Sequence, residues 1–227
     1  MENITPPRGK TLPNALARGM IHLMRLKKGF LIVLEGIDGA GKSTQARRLL
    51  RRLKALGYEA VSFREPTRGK WGRAIKRMAK TAGSLTPEEE LKLFVKDRQE
   101  NVRKNIRPAL SGKKLVILDR YYFSTIAYQG AKGIDPDHIR RLNERFAVKP
   151  DLVFILDIEA GRGLGRIKNR KRKDLLFERE RYLARVRRIF RSFRGRKFIH
   201  LDARRPPEEL SEEIAARVLR LIQKHTR

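Results

Sequence analysis

The chain has no cysteine at all. That excludes a disulfide framework, a thiolate metal site and a cysteine nucleophile, and makes a reducing cytoplasm the natural setting. Long apolar runs are missing too. A stretch such as FLIVL, residues 30–34, falls far short of the ~20 residues that a membrane-crossing helix needs, and no segment couples an apolar stretch to a small-residue cleavage site. The expectation is a soluble protein with no membrane span. Acidic residues are scarce: 25 Asp and Glu stand against 55 Lys and Arg, for a formal net charge of +30. A field of that sign attracts polyanions, whether nucleotides, nucleic acid or acidic membrane surfaces. His22, His138, His200 and His225 are scattered without metal-ligand spacing.

What is present is apolar material for one core. With 227 residues, 40% of them hydrophobic, the chain suits one compact domain and is short for two. Residues 1–28 read as a basic N-terminal extension, with Arg8, Lys10, Arg18, Arg25, Lys27 and Lys28 against Glu2 alone. Leu16, Met20, Leu23 and Met24 recur there at helical spacing, which predicts an extra helix packed on or near the core. A transit peptide or a contact with an anionic surface are the alternatives. From residue 30 onward, "FLIVLE", "AVSF", "KLVILDR", "DLVFILD" and "KFIHLD" alternate with longer helical patterns, among them "STQARRLLRRLKALG" and "LKLFVKDRQENVRKNIRPAL". Five short strands separated by helices predict an α/β domain over residues 29–227, a five-stranded parallel sheet covered by helices on both faces. Between residues 161 and 197, sixteen Lys and Arg meet only Asp174, Glu178 and Glu180.

Gly36, Gly41, Lys42 and Ser43 satisfy G-x-x-x-x-G-K-[ST], directly after an apolar strand and before an amphipathic helix. Glycines at 36, 39 and 41 let the backbone from Gly36 through Ile37, Asp38, Gly39 and Ala40 to Gly41 turn its N–H groups inward around a phosphate, at the positive end of the next helix. Lys42 adds a full charge that can follow a transferring phosphoryl group. Ser43 offers a hydroxyl to Mg2+ and Thr44 another to a phosphate oxygen. A second oxygen for the metal is expected at the end of another buried strand, and Asp119 closes "KLVILD". These residues predict a Mg2+-dependent nucleoside-triphosphate site and leave the acceptor open. Phe94 and Arg98 are four apart on a helical pattern and share a face, an aromatic plane beside a guanidinium, suited to stacking on a base and donating to its carbonyl edge. The plain alternative is a core phenylalanine and a solvated arginine.

"LEGIDGAGKSTQ", "REPT", "LFVKDRQE", "RPAL", "LDRYYFSTIAYQG", "LN" and "PDLVFILD" occur in the order seen in thymidylate kinases, and over roughly residues 29–205 the chain resembles that family. The resemblance implies the three-layer P-loop kinase fold, ATP and Mg2+ as cofactors, and transfer of the γ-phosphoryl group of ATP to dTMP. By the same resemblance Phe94 would stack on thymine and Arg98 would contact its O4 side. Arg120 would hold the acceptor phosphate, Arg64 and Glu65 would line the acceptor side, and Ser124, Thr125 and Gln129 would surround base and sugar. Tyr128 would crowd the place of a ribose 2′-hydroxyl, and Asp38 would reach the sugar 3′-hydroxyl or the metal's water. A homodimer is also implied. The basic segment about 161–180 would be a lid over the phosphates, with Arg166 stacking on adenine and Arg170, Lys171, Arg172 and Lys173 facing the transferring group. In one version of the family the catalytic arginine follows the P-loop aspartate; here that residue is Gly39, so the lid must supply it.

The chain departs from the family pattern in three places. "REPT" continues as "RGKWGRAIKR" in place of Gly-Gly-Thr, the lid reads Leu175-Leu176-Phe177-Glu178 where Asp-Arg-Phe-Glu is common, and the net charge is far above what a small-nucleotide kinase needs. The alternative readings are a kinase of the same fold for another deoxynucleotide and a P-loop protein acting on nucleic acid. The basic stretch through Arg185, Arg187, Arg188 and Arg191 is read as an outer face, with non-specific nucleic-acid contact its expected consequence.

Overall fold

The computed structural model describes residues 24–79, 85–166 and 173–226. The helix expected before residue 24, and Arg170, Lys171 and Arg172 of the lid, lie outside the described residues.

Five strands form one sheet: β1 (Phe30–Glu35), β2 (Ala60–Arg64), β3 (Leu115–Asp119), β4 (Leu152–Asp157) and β5 (Phe198–Asp202). Their order is β2-β3-β1-β4-β5 and every pairing is parallel. Parallel neighbours need crossover connections, and the helices that make them cover both faces of the sheet. That is why β1 and β3 are apolar along their length and buried at every position, ending in the buried acids Glu35 and Asp119. The registers Leu34↔Asp119 and Arg64↔Asp119 bring the C-terminal ends of β1, β3 and β2 level. In an open parallel sheet, ligands bind outside those ends.

The helices are α1 (Lys42–Ala55), α2 (Lys70–Met78), α3 (Pro87–Asn101), α4 (Arg107–Ser111), α5 (Tyr122–Gly130), α6 (Pro136–Glu144), α7 (Ala160–Arg166), α8 (Lys173–Ser192) and α9 (Pro207–Thr226). α1 packs with α9, and α5 packs with α3, α6 and α8. At the head of α3, Thr86 and Glu89 form a reciprocal capping box. The long pattern from 91 to 110 is not one regular helix. A wide π-helical turn, Val102–Ile106, separates α3 from α4. Pro108 explains it: the ring has no N–H and crowds the carbonyl four residues back, and a widened turn makes room.

Two findings adjust the expected organisation. The domain reaches back past residue 29: Met24 N–H donates to Gly57 C=O at 2.9 Å, Leu26 is buried in the core, and Asp151 accepts from Lys28 Nζ at 3.1 Å and Leu31 N–H at 2.8 Å. α2 forms where the sequence offered only a charged departure from the family, and it buries Gly72 and Ile75 against α3. At Gly72 a Cβ would stand 2.0 Å from the Thr67 carbonyl oxygen, so only glycine allows this approach.

Leu118 is fully buried on β3, an inner strand of the sheet. Leu118→Ala is expected to cost about 2–5 kcal/mol of folding stability through lost burial and a residual cavity. Urea unfolding should show a lower midpoint with an unchanged slope.

Candidate active site

The P-loop crosses the top of the sheet between β1 and α1. Gly41 caps α1 in the left-handed region, φ 90°, and Gly36 and Gly39 also have positive φ. No acidic residue occupies the first turn of α1, so its free N–H groups and dipole face an incoming anion without a built-in competitor. Gly39 is tightly constrained: a Cβ there would lie 2.1 Å from the Gly163 carbonyl oxygen of α7. Position 39 therefore has no room for an arginine. Lys42 is buried, and its Nζ donates to Ile37 C=O at 2.6 Å. Burial, with Arg120 adding repulsion, pushes its ammonium group down to about 7; phosphate charge arriving beside it favours the protonated form again.

Ser43 Oγ donates to Asp119 Oδ2, while Asp119 Oδ1 is buried without a protein partner. A hydroxyl and a carboxylate side by side, with one carboxylate oxygen uncommitted, suit Mg2+, which takes few protein oxygens and completes its shell with phosphates and water. Arg64 approaches the same carboxylate, Nε to Oδ2 3.7 Å, while remaining largely exposed.

Arg120 is a non-glycine residue with φ 74°. Its backbone N–H donates to Leu34 C=O at 3.0 Å. Its guanidinium donates to Asp38 Oδ1, to Ser124 Oγ at 2.9 Å, and to Gly36 C=O and Tyr128 Oη at 3.3 Å, and lies 5.1 Å above the Tyr128 ring. Behind it Glu35, fully buried, accepts from Tyr121 N–H at 2.8 Å, Ser124 N–H at 3.1 Å and Ser124 Oγ at 2.6 Å. Burial pushes the Glu35 carboxyl up to about 7 against the pull of Ser124 and Arg120. Asp38 goes the other way: burial raises it, but Arg120, Lys42 and Arg179 more than offset that and hold it below the usual carboxylate range.

A cavity of about 400 Å3 opens beside Arg120, lined by Glu65, Phe94, Arg98, Ser124, Thr125, Tyr128 and Gln129. The residues singled out for an acceptor are thus brought together. Phe94 and Arg98 do share a face of α3, but their burial reverses the plain alternative, with Phe94 partly open and Arg98 almost fully enclosed. Arg98 donates to Glu65 at 2.7 Å, Asn143 Oδ1 at 2.6 Å and Thr125 Oγ1 at 3.0 Å. Glu65 also accepts from Asn101 at 3.0 Å; burial raises its pKa, with Arg98 pulling it back. Thr67 donates through both N–H, 2.8 Å, and Oγ1, 2.6 Å, to Asp97. The 64–67 loop, with its cis Glu65–Pro66 bond, is thereby fastened to α3 from both ends.

A second cavity of about 620 Å3 lies over the P-loop, lined by residues 38–45 together with Arg166, Ala203 and Arg205. Arg166 is held there by Ala203 C=O at 3.2 Å and Gly39 C=O at 3.5 Å. Asp38, Arg64 and Arg120 line both cavities. A sequence model of thymidylate kinases matches residues 34–214. The chain belongs to the thymidylate kinase family. It is similar to the thymidylate kinase of Akkermansia muciniphila, 48% identical over 196 residues, 86% of this chain and 92% of the relative. A probable thymidylate kinase of Archaeoglobus fulgidus is 45% identical over 81% of this chain and 92% of its own. The thymidylate kinase of Brachyspira hyodysenteriae is 43% identical over 82% and 92%. The three-layer P-loop kinase fold expected from the family motifs is the fold observed.

Sequence reasoning passed over several residues that build this site: Glu35, Asp97, Asn101, Asn143 and the Glu90–Lys132 pair at the cavity rim. Glu35 carried a signal, since it closes an apolar strand as Asp119 does. The others sit on α3 and α6, apart from Lys132 in the turn after α5, and meet only through tertiary packing. One expectation needs correction: the α8 arginines are not uniformly a solvated face. Arg187 makes a fork with Asp157, 2.5 and 2.9 Å, because β4 ends beneath that turn of α8.

Lys42→Ala is expected to leave the fold and melting temperature nearly unchanged while lowering phosphoryl transfer by roughly 100-fold or more, since the ammonium acts on the ligand. Turnover measured beside a circular-dichroism melt checks both halves.

Proposed function

We propose that the protein transfers the γ-phosphoryl group of ATP to dTMP, giving dTDP and ADP. The observation that carries this is the meeting of the two cavities at Asp38, Arg64 and Arg120. One cavity offers P-loop amides and Lys42 to a triphosphate; the other offers an aromatic plane and amide and guanidinium groups to a base. Two mutually repelling phosphates meet where cations converge, and such transfer needs positioning and charge neutralisation more than covalent help.

Base identity follows from hydrogen-bond direction. Gln129 Nε2 donates to Glu90 at 3.1 Å, and Glu90 is ion-paired with Lys132, which fixes the amide with its nitrogen toward the carboxylate. Its Oε1 is left buried without a partner. That oxygen calls for a donor, and N3–H of thymine is one whereas N3 of cytosine is an acceptor. Phe94 supplies the stacking plane, Arg98 a donor for O4, and Tyr128 the bulk against a 2′-hydroxyl. Arg120 holds the acceptor phosphate and Arg166 the adenine of the donor. Mg2+, held by Ser43 and Asp119 and the phosphates, would neutralise charge as the phosphoryl group moves. Asp38 anchors Arg120 and faces the acceptor sugar.

With soluble nucleotides on both sides of the reaction, we assign the protein to the cytoplasm, acting as a homodimer as the family motifs imply. Among the described residues no helix is long and apolar enough to cross a membrane. Acceptors other than dTMP, and nucleic acid as the substrate, are less well supported than dTMP by the base cavity and by the names of the relatives; the basic surface gives at most salt-sensitive contact with polyanions.

Initial rates of ADP formation with Mg-ATP and each of dTMP, dUMP, dCMP, dGMP and UMP should rank dTMP first and dCMP far below it. A preference for dCMP, or for a 5′-phosphorylated oligonucleotide, would refute the reading of Gln129 and of the cavity.

A further inference from the structure

Among the described residues, Tyr182 is the only one of α8 that lines the acceptor cavity. Its Oη donates to Tyr128 C=O at 2.9 Å, and its ring stands edge-on to the Tyr128 ring at 6.2 Å and 70°. The carbonyl it meets would otherwise be short of a donor. Tyr128 lies in the last turn of α5, where carbonyls run out of intrahelical N–H groups. The amide four residues on, that of Lys132, turns instead to Gln129 C=O at 3.0 Å. Tyr182 therefore closes the end of α5 from 54 residues further along the chain. Around this bond the two helices pack closely. Val186 and Phe190 follow Tyr182 on the same face of α8; Val186 is fully buried, and the Phe190 ring is edge-on to Tyr128 at 6.4 Å. A Cβ at Gly130 would stand 3.2 Å from Ile189 Cδ1. With the Arg120 guanidinium 5.1 Å above it, the Tyr128 ring is held by three neighbours.

We propose that Tyr182 is a specificity-determining residue for the acceptor sugar: its hydroxyl and ring hold Tyr128 in place against the 2′ position and so keep ribonucleotides out. The inference rests on the reading of the acceptor as dTMP and of Tyr128 as the bulk against a 2′-hydroxyl. Arg120, whose guanidinium donates to Tyr128 Oη at 3.3 Å, takes the acceptor phosphate, and Gln129, the next residue, takes the base, so the ring between them adjoins the sugar. Exclusion by bulk works only if the wall does not yield. Tyr128 stands near the end of a nine-residue helix, and helix ends fray. The bond from Tyr182 fixes the Tyr128 backbone there, and the Tyr182 and Phe190 rings fix its side chain. Tyr182 acts through Tyr128 and not on the reacting atoms, which makes it a positioning residue.

The test compares kcat/KM for dTMP with that for 5-methyluridine 5′-monophosphate, which differs from it only by the 2′-hydroxyl, both with Mg-ATP. The proteins are wild type, Tyr182→Phe, Tyr182→Ala, Tyr128→Ala and the double variant that joins Tyr182→Phe to Tyr128→Ala. Wild type should favour dTMP. Tyr182→Phe keeps the ring and loses the bond to the Tyr128 carbonyl, and should raise the ribo-to-deoxy ratio by roughly 5-fold or more; Tyr182→Ala should raise it further. In the double variant the ratio should stay where Tyr128→Ala puts it, because no phenol remains to be positioned. An unchanged ratio in Tyr182→Phe, whether turnover is normal or lowered equally for both acceptors, would overturn the role of Tyr182. So would a ratio shift by Tyr182→Phe that persists in full beside Tyr128→Ala. A wild type that turns over both acceptors alike would overturn the sugar role of both tyrosines and leave dTMP phosphorylation standing, whereas one that turns over neither would overturn the underlying reading as well.

Discussion

A cation in the left-handed backbone region sits at the centre of this molecule. Arg120 follows β3 with φ 74°, a conformation that costs a non-glycine residue about 1–2 kcal/mol. The turn persists because its neighbours over-determine it. Glu35 collects the Tyr121 and Ser124 amides and the Ser124 hydroxyl, Ser124 in turn accepts from Arg120, and the Arg120 amide is spent on β1. Strain of this kind survives where the surroundings leave no alternative, and it concentrates where function needs a fixed group. The consequence is a guanidinium aimed at the line where two cavities meet. Its position depends on β1 and β3 being adjacent and level, hence on the strand order of the sheet itself.

The same logic of buried charge extends outward. Lys42, Glu35, Asp119, Arg120, Glu65 and Arg98 are all withdrawn from water to a large degree, and each is tolerable only through its partners. The arrangement separates two tasks. Around Arg98 the donors and acceptors are nearly all matched within the protein, giving a rigid wall. At Asp119 and Gln129, buried side-chain oxygens are left without protein partners, and a ligand completes them. A matched wall and an unmatched floor give a site shaped before substrate arrives, which keeps the ordering cost of binding low.

Much of this could be read from the residues. The inner strands were legible because a doubly covered parallel strand is apolar along its length, the edge strands β2 and β5 from shorter apolar runs between helical patterns, and the P-loop because glycine, lysine and serine stand at the one strand–helix junction that fits them. Phe94 and Arg98 were legible as a pair from their spacing. Glu35 was half legible, as a charge ending an apolar strand, but its role depends on the turn that follows β3, the neighbouring strand in the sheet. Asn143, Asp97 and Glu90 were not legible, since each reaches its partner across 30 or more residues of chain that only packing brings together. Local propensity misled once, over the helix through Pro108, where a widened turn absorbs the proline. The charge misled in a different way. A basic run reads as a solvated face, yet within it Arg187 serves Asp157; beyond it, Arg204 pairs with Asp202 and Arg205 with Glu213. Exposed pairs of this kind are each worth about 0–1 kcal/mol, so the excess charge matters for what the surface attracts more than for folding.

If the fixed fork of Arg120 is what brings the acceptor phosphate into line, charge alone will not replace it. The most direct measurement is kcat and dTMP affinity of Arg120→Lys, with the melting temperature followed in parallel. A lysine keeps the positive charge but loses the planar fork that reaches Asp38, Ser124 and the cavity together. Roughly 100-fold loss of kcat/KM for dTMP in a protein that remains folded is the predicted result. A folded Arg120→Lys variant with near wild-type turnover would contradict the account, because it would mean that the site needs a cation at this point and not the geometry that the fold takes such care to impose.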